Sequence, residues 1–275
     1  SLYQNLFVHD PEIIAVDQHP EYRSSKLGRE LAKQLDRPLI EVQHHHAHIA
    51  SCLAENAWPG DGGKVLGVAL DGAGWGADAT IWGGEFLACD YASFERLATF
   101  KPVPLLGGDA AAREPWRNAY AHLMAEMGWA EFAMNFSELE MFRYLNDKPR
   151  ETLDAMIAAG VNAPLASSCG RLFDAAAAIL GLARDQQSYE GHAAMLLEAA
   201  IDPKAMEEGE DLAYPFSIPL MGGQGLPYVE PVAVWRAMLG DLILETPIGV
   251  IAARFHRGLA RVIIAMVDRL MGDER

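Results

Sequence analysis

"GVALDGAGWGADATIWGGEF", Gly67 to Phe86, sets an apolar run against a cluster of glycines. Val65 to Leu70 reads as a buried strand that ends at Asp71. Gly72 to Asp78 reads as a glycine-rich turn, Thr80 to Tyr91 as a second strand and Arg96 to Phe100 as a third. Three strands joined by tight turns predict an antiparallel meander. A carboxylate that ends an apolar strand and opens a glycine turn should project into a cleft, although aspartate also caps such turns well.

Working outward, Ile13 to Val16 and Pro38 to Val42 read as short strands, with a helix over Tyr22 to Leu35 between them. A second helix is expected over Ala47 to Glu55. "WPGDGG", Trp58 to Gly63, is rich in turn formers. We place a lobe boundary there: residues 1–60 close a first lobe and 61–275 form a second. Downstream the pattern turns helical: Ala111 to Met127, Ser137 to Tyr144, Glu151 to Ala159, Gly170 to Leu182, Gly191 to Ala200 and Pro247 to Met271. "IDPKAMEEGED" reads as a polar loop. Strands alternating with helices make the fold class α/β. A crossover helix normally feeds another strand, and none follows the last helix, so the second lobe reads as incomplete.

Just before the boundary lies "VQHHHAHIAS", Val42 to Ser51, with four histidines in five positions. On a helix His44 and His48 share a face, since residues four apart stack about 6 Å along the axis. Both imidazoles could then reach one metal, while His45 and His46 should point elsewhere. Such a pair also arises by chance on many helices. Asp71 would add a carboxylate, leaving positions open for water or a substrate oxygen.

The chain has 275 residues, 51% of them hydrophobic, which is enough for a sizeable core. A formal charge of −16 repels nucleic-acid phosphates, so no nucleic-acid partner is expected. Cys52, Cys89 and Cys169 are far apart and form no C-x-x-C pair. That argues against a disulfide framework and a thiolate zinc site, and suits a reducing, cytoplasmic setting. No apolar run approaches the roughly 18 to 20 residues of a membrane span, so no membrane partner is expected.

Six stretches, "IIAVDQHPEYRSSKLGREL", "VQHHHAHIASCLAEN", "GVALDGAGWGADATIWGGEF", "PLLGGDAAAREPWRNA", "NAPLASSCGRLFDAAAAILGL" and "SYEGHAAM", together resemble the HypF carbamoyltransferases of NiFe-hydrogenase maturation. The resemblance runs from about Pro11 to Ala265. It implies the two-lobed fold of actin, Hsp70 and sugar kinases, built on ribonuclease-H-like lobes. It also implies transfer of a carbamoyl group from carbamoyl-adenylate, made from carbamoyl phosphate and ATP, to the C-terminal cysteine of the partner HypE. There the group becomes the cyanide ligand of the hydrogenase iron.

By the same resemblance His44, His48 and Asp71 hold one divalent metal, iron or zinc. A fourth ligand of the family, an aspartate near the C-terminus, has no counterpart in this sequence. Asp71, Gly72 and Gly74 fall on the phosphate-side loop, Gly170 and Asp174 on the adenosine-side helix start, and Glu190 with Gly191 on the other side of the nucleotide. Taken singly, each glycine is equally a turn residue. Asp174 is expected at a ribose hydroxyl. Arg113 and Arg117 could steer an anion or pair along their helix. His192 stands where relatives are expected to carry glutamate or glutamine. Cys169 reads as a small packed residue, because carbamoyl-adenylate is already activated. Full members also carry an acylphosphatase domain, zinc-finger modules and an adenylate-forming domain, so this chain is expected to be a piece truncated at both ends. It should show little activity alone, with bare sheet edges and poor solubility. Three other readings stand beside this one: a tRNA threonylcarbamoyl transferase-like enzyme, a sugar or acetate kinase-like ATPase, and a non-catalytic scaffold that only docks the partner.

Overall fold

A short apolar strand, β1 (Ile14–Asp17), pairs in parallel with β2 (Leu39–Val42), Ile14 opposite Leu39 and Asp17 opposite Val42. The crossover between them is α1 (Arg23–Leu35), which buries only the small residues Ser25, Gly28 and Ala32. Next comes α2 (His44–Glu55), which begins three residues earlier than expected. The reason is a cap: the Gln43 side chain accepts the His46 N–H at 2.8 Å and so satisfies one of the open N–H groups of the first turn. The computed structural model describes residues 6–7, 10–207 and 209–273.

Across the turn-rich connection lie β3 (Val65–Trp75), β4 (Ile81–Cys89) and β5 (Phe94–Phe100), the expected antiparallel meander. The two-residue strand β6 (Val103–Pro104) follows. Helices α3 (Asp109–Arg113) and α4 (Pro115–Glu126) divide the single helix expected over 111–127. The break falls at Pro115, which has no N–H to continue a helix but fits its first position. After these come α5 (Gly128–Phe136), α6 (Glu140–Asn146) and α7 (Arg150–Ala159). Strand β7 (Leu165–Ala166) leads into α8 (Cys169–Ile179), and α9 (His192–Ala199) follows. The last elements are β8 (Tyr228–Val229), α10 (Val232–Ile243) and α11 (Ile248–Asp273). Helices α5 and α10 are additions to the sequence reading. The sheet runs β6–β7–β4–β5–β8, and β3 also pairs with β4.

The glycine-rich segment is not wholly a turn. β3 continues to Trp75, and the reversal falls at Gly76 to Thr80, where the Gly76 N–H donates to Thr80 O at 2.9 Å. Leu70 faces Gly84 but Gly74 faces Trp82, so the register slips by two residues between them. Asp71, Gly72 and Ala73 occupy that bulge, and bulges of this kind re-aim side chains beside functional sites.

The main core joins the sheet to the helical layers through Phe86, Phe100, Tyr120, Phe132, Trp235 and Phe255, all essentially inaccessible. A second cluster, Ile49, Leu53, Ala69, Trp82, Leu87 and Cys89, fixes α2 on β3 and β4. Burying side chains the size of Ile49 and Leu53 stabilises that docking by about 1.5–3 kcal/mol each. Among the described residues, no helix is long and apolar enough to cross a membrane.

Candidate metal centre

Docking α2 on β3 aims the first turn of the helix at the β3 bulge. His44 Nε2 lies 3.0 Å from Asp71 Oδ2 and 3.2 Å from His48 Nε2, and His48 Nε2 is 3.7 Å from Asp71 Oδ2. Zinc-like bonds of 2.0–2.1 Å in a tetrahedral arrangement separate neighbouring ligand atoms by about 3.3 Å. The three atoms here bracket that value, and these residues form a group able to hold a metal ion. The other Asp71 oxygen, Oδ1, accepts the Gly72 N–H at 2.6 Å. Oδ2 itself is enclosed and lacks an aligned hydrogen-bond donor. A buried carboxylate oxygen ringed by three imidazole nitrogens at 3.0 to 3.7 Å fits a cation. His44, His48 and Asp71 are therefore brought together as expected.

One residue that the sequence reading passed over completes the centre. Asp17, at the end of β1, places Oδ2 2.7 Å from His44 Nδ1. A carboxylate on the far nitrogen fixes the tautomer and orientation of a metal-binding imidazole. The signal was present: β1, like the apolar start of β3, is a run that leads into an aspartate.

The electrostatics follow from this packing. The Asp71 carboxylate raises the His44 pKa to about 9, with Asp17 adding to the effect and partial burial opposing it. Burial pushes Asp71 up, but contacts with His44 and the Gly72 N–H hold it below its usual value. Cation uptake at neutral pH would displace the His44 proton. His45 differs. It is fully buried, and burial lowers its pKa to about 4. Contrary to expectation it does not point away, for its Nε2 lies 3.7 Å from Asp71 Oδ2. His46 does point elsewhere and lies 2.7 Å from the Asp90 carbonyl through Nε2.

Bare backbone lets these groups meet. A Cβ on Gly74 would lie 2.5 Å from His45 Cε1 and 2.7 Å from His44 Cδ2, too close for any side chain. A Cβ on Gly170 would lie 2.9 Å from the Gly72 Cα, so the start of α8 rests directly on the bulge. Ser168 ties the two: its Oγ accepts the Arg171 N–H at 3.0 Å and donates to Gly72 O at 2.6 Å. Glu190 reaches the same place, as its Oε1 sits 2.4 Å from where a Gly72 Cβ would be. Gly191 begins α9 with φ of +85°. Thus Gly72, Gly170 and Glu190 meet next to Asp71, while Gly74 lies under the His44 and His45 rings. His48 and Asp71 also border a cavity of about 550 Å³ that includes Ile49, Cys52, Val68 and Leu70.

Other singled-out residues are placed differently. Asp174, expected at a ribose hydroxyl, is enclosed in this structure, its Oδ2 2.8 Å from Arg171 Nε. Burial raises its pKa to about 6, with Arg171 opposing. Arg117 pairs with Glu114 at 2.7 Å and lies over the Trp116 ring, the structural option. The Arg113 side chain is exposed. His192 Nδ1 accepts the Ser188 N–H at 3.4 Å. Cys169 is buried, and burial pushes its thiol up to about 12.

Comparison with known proteins gives a consistent picture. A family model described as "Carbamoyltransferase, Kae1-like Domain, second subdomain" matches residues 67–275, and one described as "HypF Kae1-like domain" matches residues 1–55. The chain is 44% identical over 270 residues to carbamoyltransferase HypF of Rhodobacter capsulatus, covering 98% of this chain and 33% of that protein. It is 36% identical over 261 residues to a carbamoyltransferase HypF homolog of Cupriavidus necator, covering 95% of this chain and 62% of that one. Its fold matches a crystal structure of full-length HypF in the phosphate- and nucleotide-bound form with a TM-score of 0.79 at 35% identity. That match covers 98% of this chain and 39% of that one. A second match, HypF of T. kodakarensis, has a TM-score of 0.76 at 33% identity over 95% of this chain and 33% of that one. The chain spans about a third of the length of the curated HypF of R. capsulatus. These neighbours carry the α/β class read from the sequence.

Proposed function

Because this chain belongs to the HypF carbamoyltransferase family, we propose that it is a carbamoyl-transfer module that binds carbamoyl-adenylate, formed from carbamoyl phosphate and ATP. Its acceptor is the C-terminal cysteine of HypE, and the product leads to the cyanide ligands of NiFe-hydrogenase. The observation that carries this reading is the convergence of His44, His48 and Asp71 on one point beside a wall of bare backbone.

His44, His48 and Asp71 would hold one divalent ion, iron or zinc, which when bound supplies a Lewis acid for the charge that builds on oxygen during acyl transfer. Asp17 orients His44 through Nδ1. Ser168 fixes α8 against Gly72, so the Gly72–Gly170 wall offers a rigid surface to the nucleotide, with Glu190 closing one side. The acceptor thiolate attacks the carbamoyl carbon; a C–S bond forms, the C–O bond to the phosphate breaks, and AMP leaves. Holding the two reactants together supplies much of the rate. Cys169 is unsuited as an internal nucleophile, being buried and protonated. The net charge of −16 favours a protein acceptor over tRNA.

Isothermal titration with zinc, and then with AMP, tests the reading. One ion per chain is expected, with tighter AMP binding once it is loaded. The H44A/H48A variant should lose both effects. An unchanged ion stoichiometry in that variant would overturn the assignment, and a chain that binds tRNA but not HypE would overturn the acceptor.

A further inference from the structure

We propose that His45 is a fixed hydrogen-bond donor to Asp71, a positioning residue of the metal centre and not a third imidazole ligand. The positioning role rests on the metal reading above; the tautomer on which it depends does not. Gln43 starts the reasoning. The atom of its side chain that faces the His46 backbone N–H at 2.8 Å must be oxygen, because a backbone N–H can only donate. The other end of the amide is therefore the NH2. Its two hydrogens have two neighbours, the Trp75 carbonyl at 3.1 Å and His45 Nδ1 at 3.1 Å. A carbonyl can only accept. His45 Nδ1 must then accept as well, using its lone pair. A neutral imidazole carries one proton, so in His45 that proton sits on Nε2.

His45 Nε2 is enclosed and has no hydrogen-bond partner; Asp71 Oδ2 is enclosed too and has no aligned donor, although His44 Nε2 stands 3.0 Å from it. The two atoms face each other at 3.7 Å. Buried polar groups in folded proteins are nearly always satisfied, so an unpaired, enclosed donor facing a carboxylate oxygen marks an unfinished contact. Completing it takes only a small turn of the Asp71 carboxylate, with the second lone pair of Oδ2 left for the cation. A nitrogen that bears a proton has no lone pair to give a metal. The histidine run thus divides by role: His44 and His48 offer lone pairs, His45 offers a proton, and His46 anchors the helix to the Asp90 carbonyl. The absence of a Cβ at Gly74 lets the His45 ring lie in this position.

Two measurements on the intact chain test the proposal. Long-range ¹H–¹⁵N spectra of the metal-free protein, with His45 assigned by its loss in H45Q, should show a protonated Nε2 and a bare Nδ1. A proton on Nδ1 overturns the proposal, whatever the metal does. Zinc affinity is then read by competition with a chromophoric chelator. H45F should still take one ion per chain but bind it about 10–100-fold more weakly, and H45Q, which keeps an N–H donor, should recover most of the loss. Wild-type affinity in H45F, or loss of the ion from a folded H45F, overturns the positioning role. If wild-type protein takes up no zinc, the metal reading and the positioning role both fall, while the tautomer still stands or falls on the spectrum.

Discussion

Residues 10–56 and residues 65–273 are built on opposite terms. The first region is a two-stranded sheet and two helices, with Leu27, Leu39 and Ile40 exposed and only a few small side chains buried under α1. The second carries nearly all of the main core, from Phe86 to Leu270. Yet the thin region supplies Asp17, His44 and His48, whereas the thick one supplies Asp71 and the backbone wall. Three of the four side chains of the candidate centre thus sit on the part with the least packing of its own, held in register by docking α2 onto the part with the most. The lesson is that the stability of this centre is borrowed across the α2–β3 contact.

The sharpest test of that contrast is a pair of truncations. Trp235→Ala, in the thick region, should cost about 3–5 kcal/mol in denaturant unfolding, as large-to-small changes in cores do. Ile40→Ala, at a position 48% exposed, should stay within about 0.5 kcal/mol. Equal costs would break the comparison. Next in size, Ile49→Ala should loosen α2 on β3 and weaken zinc binding without touching a ligand, by an amount comparable with its unfolding cost. Chelator competition on the variant reads it directly, and unchanged zinc affinity would show that the centre does not depend on docking.

Asp17→Asn keeps the shape and removes the negative charge beside His44 Nδ1, so zinc affinity should fall about 10–100-fold. The remaining tests are in pH. In the metal-free chain His44 is raised from 6.5 to about 9. Its contribution to stability is therefore complete below pH 6.5 and lost as pH rises through about 9. His122 in the thick region is buried and lowered from 6.5 to about 3. There the unfolded chain binds the extra proton, so stability falls as pH drops from 6.5 toward 3. H44A should flatten the alkaline limb of the stability profile and H122F the acid limb. If each flattened the other limb, the assignment of limbs to regions would be wrong.

Much of this was legible in the chain. The meander, the crossover unit and the His44–His48–Asp71 set follow from apolar runs, helical spacing and a strand-ending carboxylate. What escaped did so for physical reasons. Asp17 was hidden because the strand reading stopped at Val16, and nothing local says that a parallel neighbour will bring a histidine to its end. The extension of β3 to Trp75 was hidden because glycines read as a turn, although here they serve close approach to His44 and His45. Pro115 broke a helix whose apolar pattern runs on unbroken. Asp174 pairs with Arg171 one turn earlier on its own helix, a contact that spacing permits but does not require.

The contact of Gly72 with Gly170 has one further consequence. Two segments distant in sequence meet there main chain to main chain, with no side chain in between. Such a junction has no rotamers to freeze when something settles on it, so occupancy costs little conformational entropy at that point. It also offers selection no gradual adjustment, since even a methyl group would force the strand and the helix apart. Variation around this junction must therefore come from its rim, where side chains such as Glu190 stand.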